Sequence, residues 1–205
     1  MYKANIISCD PPWEFNDKLT MSDVARGAAA NYPELNIEEI KNLKIKEISA
    51  DDAILALWVP GSLLQQGLDV MKEWGFEYKQ NYIWVKTKKN IEGLDINDSL
   101  AFGMGRLFRQ THEIALIGIR GKIYNYLKNK SQRSLSFYQA TKHSKKPELL
   151  QDSLDLMFPD TDEYKLNRLE LFARRKRDNW KCLGNESPES FGEDIRDSIN
   201  KLISV

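Results

Sequence analysis

Residues 4–13 read Ala-Asn-Ile-Ile-Ser-Cys-Asp-Pro-Pro-Trp. The apolar run before Asp10 predicts a buried strand that ends at an acid, two prolines and an aromatic side chain. The Asp10 carboxylate can accept one hydrogen bond from an amine, and the Pro11 carbonyl, which precedes a proline, can accept a second. Trp13 offers a face for a stacked base, a contact worth about 1–3 kcal/mol. The pattern indicates a receptor for an exocyclic amine on a flat ring, or else a Pro-Pro turn closed by an aromatic plug.

Further apolar, β-branched runs alternate with helical patterns along the chain, which is typical of an α/β domain with a mostly parallel sheet flanked by helices. The predicted strands are Ala4–Cys9, Ala53–Val59, Tyr82–Lys86, Glu113–Arg120 and Arg168–Ala173. Helices are predicted over Ile37–Ile48, Ser62–Trp74 and Pro147–Phe158, with a short amphipathic helix in the tail Pro188–Val205. We expect a single domain over residues 1–186 and a helical extension, 187–205, that packs on it.

The composition is that of a globular protein without membrane spans. The chain has 205 residues, of which 41% are hydrophobic and 29% are charged. No apolar stretch approaches the ~20 residues that a bilayer requires, and the first residues lack the pattern of a secretory signal. Its two cysteines, Cys9 and Cys182, argue against a disulfide framework or a cysteine-based zinc site and favour a reducing compartment. We therefore expect a cytoplasmic protein that uses no metal.

A net charge of zero conceals a basic middle. Residues 84–146 carry 13 Lys and Arg against 4 Asp and Glu, whereas residues 1–83 carry 8 against 13. Such an excess attracts phosphates, although basic runs also occur as solvated surface. The irregular segments 88–110 and 123–145 lie in this region, and together with segment 14–35 they are candidate substrate loops. Lys86, Arg106 and Arg109, in the basic middle of the chain, are candidate substrate contacts.

Taken in order, these motifs resemble the adenine-amino methyltransferase family that includes the catalytic subunit of the eukaryotic messenger-RNA adenosine methyltransferase and many bacterial and phage proteins. Asp10-Pro11-Pro12-Trp13 is followed by landmarks that are weak singly and specific as an ordered set. They are Asn31-Tyr32-Pro33, Leu57-Trp58-Val59, Trp74-Gly75-Phe76, Trp84-Val85-Lys86, His112-Glu113, His143-Ser144-Lys145-Lys146-Pro147, Leu169 through Arg175, and Gly184-Asn185-Glu186. The chain looks like a prokaryotic or phage-type member.

The resemblance implies a Rossmann-like methyltransferase fold with a permuted motif order. It also implies S-adenosylmethionine as the methyl donor, S-adenosylhomocysteine as the product, and the N6 amine of adenine as the acceptor. On the donor side, Lys146 matches the lysine that meets the methionine carboxylate, and Asp10 also borders the donor. The remaining donor contacts implied by the family pattern are Glu170, Phe172 and Arg174 beside the nucleoside, and Asn185 and Glu186 at the ribose and adenine.

On the substrate side, the resemblance makes Asp10, Pro11, Pro12 and Trp13 the motif that receives a flipped adenine. Tyr32 matches a loop position that closes over the base, and His143 is expected to position the Lys146 loop or to touch phosphate. Two departures stand out. Some relatives carry Gln at the position of Glu186, and the family's acidic position upstream of the motif is expected to be missing or replaced.

The expected chemistry is direct displacement. Hydrogen bonds from both amine hydrogens to Asp10 and the Pro11 carbonyl would turn the nitrogen lone pair toward the methyl group, and alignment can contribute ~7–11 kcal/mol. DNA is the expected substrate, and RNA is the rival because nothing in the sequence reads a 2′-hydroxyl. The candidate partners are nucleic acid and a second chain, in a homodimer or a heterodimer. A non-catalytic subunit that binds nucleic acid for an active partner is the alternative of another class. A cytosine-amine methyltransferase fits the later motifs less well.

Overall fold

A computed structural model describes residues 2–14, 34–89, 96–103, 107–140 and 146–204. Within these ranges the chain forms seven strands: β1 Ala4–Cys9, β2 Ser49–Val59, β3 Glu77–Thr87, β4 His112–Arg120, β5 Leu135–Gln139, β6 Arg168–Leu171 and β7 Trp180–Leu183. They form one sheet in the order β5-β3-β4-β2-β1-β6-β7. Four neighbouring pairs are parallel, and β4 runs antiparallel to both of its neighbours.

The described helices are α1 Ile37–Lys41, α2 Ile45–Ile48, α3 Leu64–Glu73, α4 Ile96–Ser99, α5 Leu149–Met157 and α6 Ile195–Ser204. Apolar side chains of α1, α2, α3 and α6 share one core cluster with one face of the sheet, and those of α5 share a second cluster with the other face. Strand β1 feeds both clusters through Ile7 and Ile6, since successive side chains point to opposite faces. The predicted α/β fold with a mostly parallel sheet flanked by helices is confirmed.

Sequence periodicity overestimated one helix and missed two strands. The predicted helix Ile37–Ile48 is two short helices, because Leu43 and Ile45 are both buried and a continuous helix would turn residues two apart to opposite sides. The Asn42 amide closes α1 by donating to the Glu38 and Ile40 carbonyls. Strand β5 carries mostly exposed side chains and so lacks an apolar pattern. Strand β7 is largely buried, but its four residues are too few to establish a period.

The directions of the strands determine where a crevice opens at the edge of the sheet. The helices that connect β1 to β2 pack on one face of the sheet, whereas α5, which leads into β6, packs on the other. A crevice therefore opens at the carboxyl ends of β1 and β6, as expected where a parallel sheet changes its winding. Because β4 is antiparallel to β2, its first residues also lie at this edge, with Ile114 opposite Val59. Glu113 is thereby brought to the same edge as Asp10.

A buried arginine ties α5 to this part of the sheet. The Arg168 side chain is 5% exposed and donates to Asp155 at 2.9 Å and to Asp160 at 2.8 Å. It also donates to the Phe158 and Leu166 carbonyls, each at 2.8 Å. Because these partners lie in α5 and in the connection to β6, the network fixes the helix that forms one wall of the crevice.

We predict that Arg168→Ala lowers the free energy of unfolding by about 3–5 kcal/mol, because it strands buried acceptors and carboxylates. Urea titration followed by circular dichroism measures this. The matched control is Lys79→Ala, which removes an ion pair to the 75% exposed Glu77 side chain and should cost less than about 1 kcal/mol. Equal losses in the two variants would contradict the role given to Arg168.

Candidate active site

An open cavity lies at the carboxyl ends of β1 and β6. Five residues that the sequence predicted to surround the donor or the acceptor line it: Asp10, Lys146, Glu170, Phe172 and Arg174. They come from three separate parts of the chain: the end of β1, the segment before α5, and the end of β6 with the turn that follows it. The fold brings these three parts together. The cavity combines cationic, acidic and aromatic side chains, which suits a ligand with both charged and flat parts.

Four alternating charges run along this edge of the sheet. The Lys146 Nζ lies 2.9 Å and 3.1 Å from the two Asp10 carboxylate oxygens. It also lies 3.0 Å from Glu113 Oε2, and Glu113 Oε1 lies 2.5 Å from the Lys86 Nζ. The Lys146 and Glu113 side chains are only 15% and 19% exposed. We call this arrangement the ion-pair row, and it links β1, β4 and β3 to the segment before α5.

The ion-pair row keeps its two central groups, Lys146 and Glu113, in their charged forms. Burial alone would lower the pKa of the Lys146 ammonium, but Asp10 and Glu113 outweigh burial and raise that pKa. Burial alone would raise the pKa of the Glu113 carboxyl, but Lys146 and Lys86 outweigh it and lower that pKa. Both groups are therefore charged at neutral pH.

Two expectations for the Asp-Pro-Pro-Trp motif need correction. Trp13 is 3% exposed and belongs to the core, and its indole donates to the Trp58 carbonyl at 2.9 Å. In this conformation the ring therefore has no open face for a base. The Pro11 carbonyl is not free either, since it accepts the Trp13 amide at 2.9 Å, although a second lone pair remains. The alternative interpretation, a turn closed by an aromatic plug, describes Trp13 as the structure has it.

The turn after β6 presents Phe172 in a strained backbone conformation. Phe172 has φ of 59°, which is unusual for a bulky residue and occurs where neighbouring structure enforces it. The backbone next to Phe172 lies close to Gly184, since a Cβ added to Gly184 would lie 2.3 Å from the Ala173 carbonyl oxygen. The ends of β6 and β7 thus meet through a glycine, and Phe172 is directed to line the cavity.

The predicted ribose and adenine contacts lie beside the cavity and do not line it. Asn185 and Glu186 are exposed. The Glu186 carboxylate lies 3.9 Å from the guanidinium of Arg174, which does line the cavity. Glu186 is therefore adjacent to the predicted nucleoside side of the site.

The basic run Arg174–Arg177 binds acids within the chain. Arg175 pairs with Glu148 at 2.8 Å, and Arg177 contacts Glu148, Asp152 and Asp155 at 2.7–2.8 Å. These two arginines hold α5 and the residue before it against the turn after β6. The charges of these two arginines are therefore paired within the chain.

The predicted substrate contacts lie in different places in the structure. Lys86 is held by Glu113 and lies 5.2 Å from the Trp84 ring centroid, so it belongs to the ion-pair row. The Arg109 guanidinium lies 6.0 Å from the Phe102 ring centroid, near the same edge of the sheet. Tyr32, Arg106 and His143 lie outside the described residues and stay predictions.

Sequence reasoning gave no role to Glu113 beyond a family landmark, and none to Gln151. A signal existed for each. Glu113 is an acid at the start of an otherwise apolar strand, and Gln151 is a buried amide on the apolar face of α5. Both patterns mark polar groups that need a partner.

Comparison with known families agrees with this geometry. The model of the MT-A70 family matches residues 4–186, which include β1 through β7 and all the cavity residues named above. The chain belongs to the MT-A70 family. This result confirms the predicted recognition, fold class and enzyme class, an adenine-N6 methyltransferase.

Three relatives show the range of this similarity. The Type II methyltransferase M.MunI of Mycoplasma sp. is 29% identical over 203 residues, covering 92% of this chain and 79% of the relative. The human N6-adenosine-methyltransferase catalytic subunit METTL3 is 26% identical, over 90% of this chain and 28% of the relative. The non-catalytic subunit MTB of Arabidopsis thaliana is 33% identical, over 59% of this chain and 15% of the relative. Among the helices that the structure describes, none has the length and apolarity to span a bilayer.

We predict that Glu113→Gln destabilises the fold by about 1–3 kcal/mol at neutral pH, because Lys146 and Lys86 lose a shared buried carboxylate. The folded-state pKa of Glu113 lies below its ordinary value of 4.5. Its contribution to stability is therefore present above pH 4.5 and is lost as the pH falls through the folded-state pKa. Denaturant unfolding of both proteins from pH 7 to pH 3 should show the difference shrinking on acidification. A difference that stays constant over this range would contradict the assignment.

Proposed function

We propose that this chain transfers the methyl group of S-adenosylmethionine to the N6 amine of adenine in DNA. The observation that carries the proposal is the position of Asp10. Its carboxylate stands at the end of β1, lines the cavity and is held by Lys146, whose ammonium lines the same cavity. An acceptor for an amine and a cation for a carboxylate are thus adjacent, as a transfer between an amino group and an amino-acid-bearing donor requires.

The residues around the cavity fit the donor. Lys146 offers a cationic partner for the methionine carboxylate, and Arg174 lines the same cavity on the expected nucleoside side. Glu170 offers a carboxylate to hydroxyl or amino groups, and burial raises the pKa of that carboxyl against the opposing effect of Arg175. Phe172 supplies an apolar surface for the nucleoside. When bound, S-adenosylmethionine supplies a methyl group on a positively charged sulfur, a good leaving group.

The chain's own part in the reaction is to hold the amine. Asp10 accepts one N–H of the adenine amine once Lys146 turns to the donor carboxylate. The remaining lone pair of the Pro11 carbonyl is the candidate for the other N–H. Holding both hydrogens orients the nitrogen lone pair, and fixed geometry of this kind can contribute ~7–11 kcal/mol. The nitrogen that gains the methyl group must release one proton, and Asp10, which accepts that N–H and whose pKa is raised by burial, is the candidate acceptor. Trp13 supports the site without touching the base, because its buried ring and its hydrogen bond to the Trp58 carbonyl fix the turn that carries Asp10 and Pro11.

An exposed apolar and basic surface near this edge of the sheet suits the nucleic acid. Leu107 and Phe108 are 93% and 88% exposed, and Phe102, which Arg109 contacts, is 64% exposed. They lie in the chain segment with the excess of basic residues. Exposed aromatic side chains beside basic ones can stack on bases lifted from a helix. The strong coverage of M.MunI favours DNA, and the similarity to METTL3 keeps RNA as the second candidate.

We predict that Asp10→Asn lowers kcat on the order of 10²–10³-fold, because the amide can no longer stabilise the charge that develops on the amine. S-Adenosylhomocysteine should still bind, as measured by calorimetry, since Lys146 and Arg174 remain. Methyl transfer is followed as N6-methyladenine by nucleoside mass spectrometry. Undiminished turnover by the purified variant would overturn the role of Asp10.

The acceptor is identified by offering duplex DNA, single-stranded DNA and RNA of matched sequence with tritiated donor. Label in N6-methyladenine from DNA supports the proposal. Label in RNA alone selects the rival substrate. Donor binding without label in any polymer supports a non-catalytic subunit.

A further inference from the structure

A buried amide in the wall of the cavity has an acceptor without a partner. Gln151, in α5, is 3% exposed and lines the cavity. Its Nε2 lies 3.4 Å from the Ser8 hydroxyl, but its Oε1 makes no hydrogen bond with any residue that the structure describes. A buried acceptor left without a hydrogen bond destabilises the folded state. Its neighbours on this helix face, Leu150 and Leu154, are apolar, so packing alone would favour an apolar side chain at this position.

The groups around Gln151 define what would satisfy it. Ser8, in β1, is 2% exposed and pairs in register with Glu170 of β6, so a hydroxyl, an amide oxygen and a carboxylate line one part of the cavity. These groups accept hydrogen bonds. Lys146 and Arg174 line the same cavity and attract an anion. A ligand end that carries both a hydrogen-bond-donating cation and a carboxylate matches this pairing.

We propose that Gln151, with Ser8, forms the subsite for the α-ammonium group of the donor's methionine end. The Gln151 Oε1 and the Ser8 hydroxyl accept N–H hydrogen bonds from the ammonium, while Lys146 takes the neighbouring carboxylate. This assignment rests on the proposed function, because it concerns how the same donor is held. Gln151 is a binding residue in it and takes no part in methyl transfer.

Calorimetric titration with three ligands tests the subsite in wild type and Gln151→Met. S-Adenosylhomocysteine carries the complete amino-acid end, its deamino analogue keeps the carboxylate alone, and 5′-methylthioadenosine lacks both groups. Because hydrogen bonds to a charged group are strong, we expect Gln151→Met to weaken S-adenosylhomocysteine about 10-fold. The other two ligands should bind the variant and the wild type equally.

A second measurement separates binding from folding. Because Oε1 is unsatisfied without ligand, Gln151→Met should unfold at the wild-type temperature or above it, whereas a purely structural glutamine would lower that temperature. Gln65→Met, an exposed glutamine in α3, is the control and should change neither quantity. Ser8→Ala serves as an independent variant, with a smaller loss for S-adenosylhomocysteine only.

The outcomes are distinct. Unchanged affinity for S-adenosylhomocysteine in Gln151→Met, or equal losses for all three ligands, would overturn the subsite and leave the proposed function standing. A wild-type protein that binds none of the three ligands would overturn both. A loss confined to the two ligands with a carboxylate would assign Gln151 to the carboxylate and contradict the ammonium subsite.

Discussion

The site depends on one ammonium group held between two carboxylates. Lys146 Nζ lies about as close to Glu113 as to Asp10, at 3.0 Å and 2.9 Å, and all three side chains are largely shielded from water. A charge in such a place is tolerated only while it is paired, since removing one partner of a buried pair costs several kcal/mol. The position of Lys146 is therefore set by strands β1 and β4 together, before any ligand is present.

The same arrangement would allow Lys146 to exchange Asp10 for a ligand carboxylate. While Lys146 holds Asp10, the carboxylate that should receive the amine is occupied. In the proposed reaction, a ligand carboxylate would replace Asp10 at the ammonium, while Glu113 would keep Lys146 in place and charged. The charge on the lysine would stay paired throughout, and Asp10 would become available to the acceptor amine. The proposed donor and acceptor sites would then be coupled through the Lys146 side chain.

Much of the fold and several of the candidate site residues could be predicted from the sequence. Strand β1 and the Asp-Pro-Pro-Trp motif were predicted because an apolar run beside prolines has few local alternatives, and the structure has the same bounds, Ala4–Cys9. Glu113 was missed as a partner of Lys146 because its place depends on β4 running antiparallel, a property of the whole sheet that apolar periodicity does not encode. Trp13 was assigned to a base because an aromatic side chain suits stacking and core packing equally, and only the contact with Trp58 decides between them. The internal pairing of Arg177 could not be predicted from the sequence, because its three acidic partners lie 22–29 residues away along the chain.

The most direct test is a crystal structure of the chain with S-adenosylhomocysteine. We expect Lys146 Nζ to lie ~3 Å from the ligand carboxylate, as in charge-assisted pairs, and to keep its contact with Glu113. Asp10 should then be released toward the space for the acceptor. A complex in which Lys146 still holds Asp10 while the ligand carboxylate binds elsewhere would contradict it.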